Sequence, residues 1–133
     1  MFLIKKEMRR KAMTRIPAEA RDMIEKAIYL PMTVSILNRD MKIIQQGPFK
    51  LKDPYLRLIE QALKLAQRDL YDVKNELRRR KIKVHEVSRD EAFTMYSFIY
   101  EGYEEEHNYF NPRIRNQVSA LLEHYLFKAA PDQ

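Results

Sequence analysis

An all-α antiparallel four-helix bundle is the fold class this 133-residue sequence predicts, and three observations carry the prediction. Apolar residues recur at alternating spacings of three and four over long stretches, the pattern of a helix with one buried face. Prolines fall at the joints between those stretches. Glycine occurs only twice, which gives turn-rich β folds and glycine-loop nucleotide sites little support.

The first helix starts at Pro17, a favourable first position because proline has no amide hydrogen to leave unpaired there. Ala20, Met23, Ala27, Leu30, Val34, Leu37, Met41 and Ile44 form its seam. A second row of Ile24, Ile28, Met32, Ile36 and Ile43 widens the stripe. Pro31 lies inside it and predicts a kink or a division into two. Gly47 and Pro48 end it, and Asp53 with Pro54 open a second helix whose seam is Leu56, Ile59, Leu63, Ala66, Leu70, Val73 and Leu77. So short a connection makes the two helices antiparallel neighbours.

Residues 78–87 read as a connector, with Ile82, Val84 and Val87 offering too little alternation to establish a strand. Ser88 and Glu91 fit a capping box, so a third helix is expected from Arg89, carrying Phe93, Tyr96, Tyr100, Tyr103, His107 and Phe110 on heptad spacing. Asn111 and Pro112 open a fourth helix with Ile114, Val118, Leu121, Leu122, Tyr125 and Leu126 on one face. At about 1.5 Å per residue the first two helices run roughly 40 Å and the last two under about 30 Å. The first hairpin then overhangs the second, and its seam needs cover from the N-terminal segment, from bending at Pro31 or from a second copy. The organisation is a basic N-terminal arm, residues 1–16, and one helical-bundle domain, residues 17–133.

The formal net charge of +6 is localised. Residues 1–16 hold six basic residues against Glu7, and Arg78, Arg79, Arg80, Lys81 and Lys83 form a second basic run; Glu101, Glu104, Glu105 and Glu106 oppose them. The basic run reads either as a phosphate-contacting patch or as a solvated helix end favoured by the helix dipole. The arm could form a basic amphipathic helix for a membrane surface or partner, or be a frayed chain end. No cysteine is present, which removes disulfides, thiolate metal sites and cysteine nucleophiles. The longest apolar stretch, residues 28–37, is too short to span a bilayer, and the apolar-then-basic start reverses the order of a secretory signal, so a cytoplasmic protein is expected.

Chemistry finds few candidates. Glu104 and His107 have the i, i+3 spacing of bundle metal sites, but a second such pair is missing and no metal or cofactor is assigned. No serine has a histidine neighbour or a nucleophile-elbow motif, and an active site is not expected. The concentration of aromatic rings around the third and fourth helices marks Tyr100, Tyr103, Tyr109, Phe110 and Arg113 as an interaction surface, or else as core rings whose hydroxyls reach the rim.

The words RIP at Arg15–Pro17, LPMT at Leu30–Thr33, GPFKLK at Gly47–Lys52 and YFNPRIR at Tyr109–Arg115 resemble the YhjD-like proteins, small uncharacterised proteins of spore-forming Gram-positive bacteria. The resemblance runs from Arg15 onward and leaves the arm outside it. It implies a bacterial cytosolic setting and transfers no catalytic residue. The sequence therefore predicts a non-enzymatic interaction or regulatory module with a protein partner or a homodimer. Its alternative is a nucleic-acid binder using the 78–83 run and the arm.

Overall fold

The computed structural model describes residues 16–130. Two long helices form where the seams place them: α1, Ala18–Gln46, and α2, Lys52–Arg79. Pro17 precedes α1 and Gly47 ends it. Pro31 does not divide α1, which continues through it as one element of 29 residues. The residue two positions on, Thr33, is buried and turns its hydroxyl back onto the Tyr29 carbonyl at 2.9 Å. Pro31 itself faces solvent, where a lost backbone bond is least costly.

The expected third helix is absent. In its place stand three antiparallel strands in the order β1-β2-β3: β1, Lys83–Arg89; β2, Phe93–Tyr100; β3, Tyr103–Phe110. The last element, α3, spans Asn111–Ala129 as the Asn-Pro signal predicts. The molecule is thus α+β, three helices and a sheet, and the all-α four-helix bundle is corrected. Of the expected connector, residues 78–87, the first two end α2 and residues 83–87 belong to the edge strand β1, and Ser88 lies within that strand instead of capping a helix.

The physical reason is a coincidence of periods. Phe93, Tyr96, Tyr100, Tyr103, His107 and Phe110 satisfy heptad spacing, but Thr94, Tyr96 and Phe98 also alternate with Phe93, Met95 and Ile99. Residues 93–100 are rich in aromatic and β-branched types suited to a pleated, half-buried surface. Glu101 and Gly102 both have positive φ, 51° and 79°, and Tyr100 pairs with Tyr103 across them. This is the two-residue hairpin turn whose twist matches the flanking strands.

One core packs α1 on the sheet and joins Ile16, Ala20, Ile24, Ile28, Leu77, Ile82, Tyr96, Phe98, Ile114 and Val118. A second joins Leu30 and Leu37 to Ile59, Ala62, Leu63, Ala66 and Tyr125. Leu126 and Ala129 also pack there, so α3 covers the seam of the long hairpin from within the chain. Except for Ile16, which is buried in the first core, the N-terminal arm lies outside the described residues.

Candidate functional site

An apolar groove of about 370 Å³ opens where α1 and α3 meet the Thr94 end of the sheet. Met32 and Ile36 form one wall, and Ile114, Val118, Ser119 and Leu122 the other. Arg89, Arg115, Thr94 and Asn111 stand among its lining residues. The second apolar row of α1, beyond what the α1–α2 seam requires, supplies the Met32 and Ile36 wall.

Local geometry positions the polar end. Val87 is the extra residue of a bulge between Glu86 and Ser88. Glu86 pairs with Tyr96 and, after the bulge, Arg89 pairs with Thr94, so the shift in parity places Arg89 on the inner face. Without the bulge, alternation would send it to the opposite face of the sheet; as placed, the side chain borders the groove and stays largely exposed. Glu86 then accepts from Arg89 Nη2 at 2.7 Å. Asp90 closes the β1–β2 loop by accepting from the Ala92 and Phe93 amides at 2.8 and 2.7 Å. Those two donors hold its carboxyl below the usual carboxylate range. Asn111 locks this loop to α3: its Nδ2 donates to the Asp90 and Glu91 carbonyls at 3.0 and 3.1 Å, and its Oδ1 accepts from Thr94 Oγ1 at 2.7 Å. Arg115 makes no ion pair among the described residues.

A second polar feature runs where α1 crosses β3. Arg21 lies 3.7 Å from the buried Glu105 carboxylate, and Glu105 also hydrogen-bonds His107 Nε2. The His107 ring stacks on Phe98 at 4.8 Å. Further along, Tyr109 donates to Glu25 at 3.3 Å, and its ring meets Tyr29 and Tyr96 edge-on. Burial pushes the Tyr109 hydroxyl well up, with the Glu25 charge adding to it. Burial also raises Tyr29, whose hydroxyl has no hydrogen-bond partner of good geometry; the Arg113 charge opposes that shift. Glu104, being three residues from His107 on a strand, faces the opposite side, where it accepts from Ser97 at 2.7 Å. Among the described residues no group of three or more His, Asp or Glu side chains is placed to hold a metal ion.

The five residues marked as an interaction surface are separated. Tyr100 and Tyr103 flank the β2–β3 turn; Tyr109, at the far end of β3, faces α1 near Arg113; Phe110 is exposed and packs on Phe93 at 5.4 Å beside the start of α3. The basic run is divided too. Arg79 and Arg80 both hydrogen-bond Glu76, and Arg80 also reaches Glu19 at 3.6 Å. Lys81, at φ 58°, is the left-handed residue that closes α2, with the Ile82 amide on the Leu77 carbonyl at 2.9 Å and the Lys81 amide on the Arg78 carbonyl at 3.1 Å. Arg78, Lys81 and Lys83 remain exposed. Arg89, Thr94 and Asn111 escaped prediction as a site because only the bulge and the hairpin bring them together.

Fold and groove define a class: a small α+β domain with an apolar groove bordered by arginines. A family model described as "YhjD protein" matches residues 15–130, and the chain belongs to that family. It is 54% identical over 121 residues to the "Uncharacterized protein YhjD" of Bacillus subtilis (strain 168), an alignment covering 91% of this chain and 99% of the relative. No solved structure matches.

Proposed function

We propose that this YhjD-family protein is a non-enzymatic interaction module whose contact site is the groove between α1, α3 and the Thr94 end of the sheet. The groove itself carries the reading. An open apolar trough with a flexible methionine in its wall suits an apolar protein segment, and the Arg115 guanidinium, which pairs with no carboxylate among the described residues, suits a carboxylate on that segment, while Arg89 is already held by Glu86. A photo-crosslinking residue at Ser119 in the native cells tests it. A discrete adduct is expected, and Arg115→Glu, exposed and so neutral for folding, is expected to cut its yield about tenfold. No adduct, or one indifferent to the charge reversal, overturns the proposal.

The nucleic-acid reading draws less support. Two of its five basic side chains, Arg79 and Arg80, are engaged by carboxylates. Phosphate binding through Arg78, Lys81 and Lys83 would show as a steep loss of duplex affinity with salt that disappears when those three become glutamine.

A further inference from the structure

Four of the ten large apolar side chains that stand exposed among the described residues share one location, the turn joining α1 to α2. They are Ile43, Phe49, Leu51 and Tyr55, and Leu51 is 71% exposed. Leu51 occupies the N-cap of α2 and makes no side-chain cap there. Leucine is among the poorest N-cap residues because it offers no oxygen to the free amides of the first turn. It belongs to neither apolar cluster, so helix stability and core packing both leave it unexplained.

The turn is nonetheless firmly built. The Phe49 and Tyr55 rings lie 5.6 Å apart, and Lys52 Nζ donates to the Gln45 carbonyl at 2.8 Å, tying α2 to the end of α1. A Cβ at Gly47 would stand 2.9 Å from the Ile43 carbonyl oxygen and 3.1 Å from the Phe49 ring, so glycine is what allows the chain to fold this closely. The apolar tip is therefore presented in a fixed shape.

Charge surrounds it. Phe49-Lys50-Leu51-Lys52 alternates apolar and basic residues, and residues 39–57 contain five basic side chains against Asp40 and Asp53. Lys42, Lys50 and Lys52 pair with no carboxylate among the described residues. We infer that this turn docks the protein peripherally on an anionic lipid surface. Apolar side chains at the end of a helical hairpin can enter the interface of a bilayer while the lysine stems run beside them and hold their ammonium groups at the phosphate level. Reversible anchoring takes two signals, apolar burial and basic charge, and the turn supplies both. No helix among the described residues is long and apolar enough to cross the membrane, so the contact is superficial.

The test is co-sedimentation of the full chain with vesicles of phosphatidylcholine, with and without phosphatidylglycerol. Binding to the anionic vesicles and not to the neutral ones is expected. The double variant F49S/L51E should lower partitioning by about tenfold or more, and Lys50→Glu should lower it severalfold. Tyr71→Ser, which removes an exposed ring elsewhere on α2, should leave it unchanged. Thermal melts of each variant confirm folding, since the replaced side chains are exposed. Equal binding to neutral vesicles, binding unaffected by F49S/L51E as the basic arm would produce, or no binding at all would each overturn the inference. So would a dimer in sedimentation that F49S/L51E abolishes, which would assign the tip to a second copy.

Discussion

Among single residues, Glu76 does the most to hold the basic end of α2 together. Hydrogen bonds from Arg79 and then Arg80 lower its carboxyl pKa from 4.5 to about 2. The charged carboxylate is thus favoured more in the folded protein than in the unfolded chain, and the benefit is complete above the ordinary value. It is lost as pH falls from about 4.5 towards 2. Glu76→Gln should therefore flatten the acid side of the stability profile in that window. Denaturant midpoints measured across it decide the matter: parallel profiles for the two proteins would show that the guanidinium contacts carry no folding linkage. The same contacts explain why a run of five positive charges is not five free charges. Asn111 is the comparable residue at the groove, where one side chain satisfies two loop carbonyls and a buried threonine.

At the scale of elements, helices announced by proline and three-four spacing were legible, and strands were not. Pro17, Gly47, Pro54 and Pro112 fix local backbone geometry whatever packs around them, so α1, α2 and α3 lie within a residue or two of the predicted bounds. The sheet depends on contacts between distant residues and on a pleat whose period the aromatic spacing imitates. The one local signal was Gly102, whose φ of 79° suits glycine and few others. Its neighbour Glu101 also sits at positive φ, where asparagine is favoured in a two-residue hairpin. Glu101→Asn should raise stability by about 0.5 kcal/mol, seen as a higher midpoint with an unchanged denaturant slope. A lower midpoint would mean that the turn conformation is not what limits the hairpin. The groove was unreadable for a related reason, since one bulged residue, Val87, decides which face Arg89 occupies.

Across the whole molecule, the two apolar clusters raise the question of whether the sheet end and the hairpin fold separately. Val73, Leu121 and Leu122 pack against both, so α2 and α3 each carry side chains common to the two cores. Tyr125 adds a tie, donating to Asp69 on α2 at 2.6 Å, and its hydroxyl pKa is pushed well up by burial and by that carboxylate. Opening one core would strip apolar contacts from the other, which favours a single cooperative transition. Urea unfolding followed by far-UV circular dichroism, dominated by the helices, should coincide with that followed by tyrosine emission. The emission comes from eight tyrosines, four of them, Tyr96, Tyr100, Tyr103 and Tyr109, in the sheet, and needs no correction for tryptophan, which the chain lacks. Leu121→Ala should cost about 2–4 kcal/mol and move both curves together. Separate midpoints, or a shift in only one of them, would show that the sheet end and the helical hairpin unfold independently, with both walls of the groove, Met32 and Ile36 against Ile114 and Val118, staying with the sheet end.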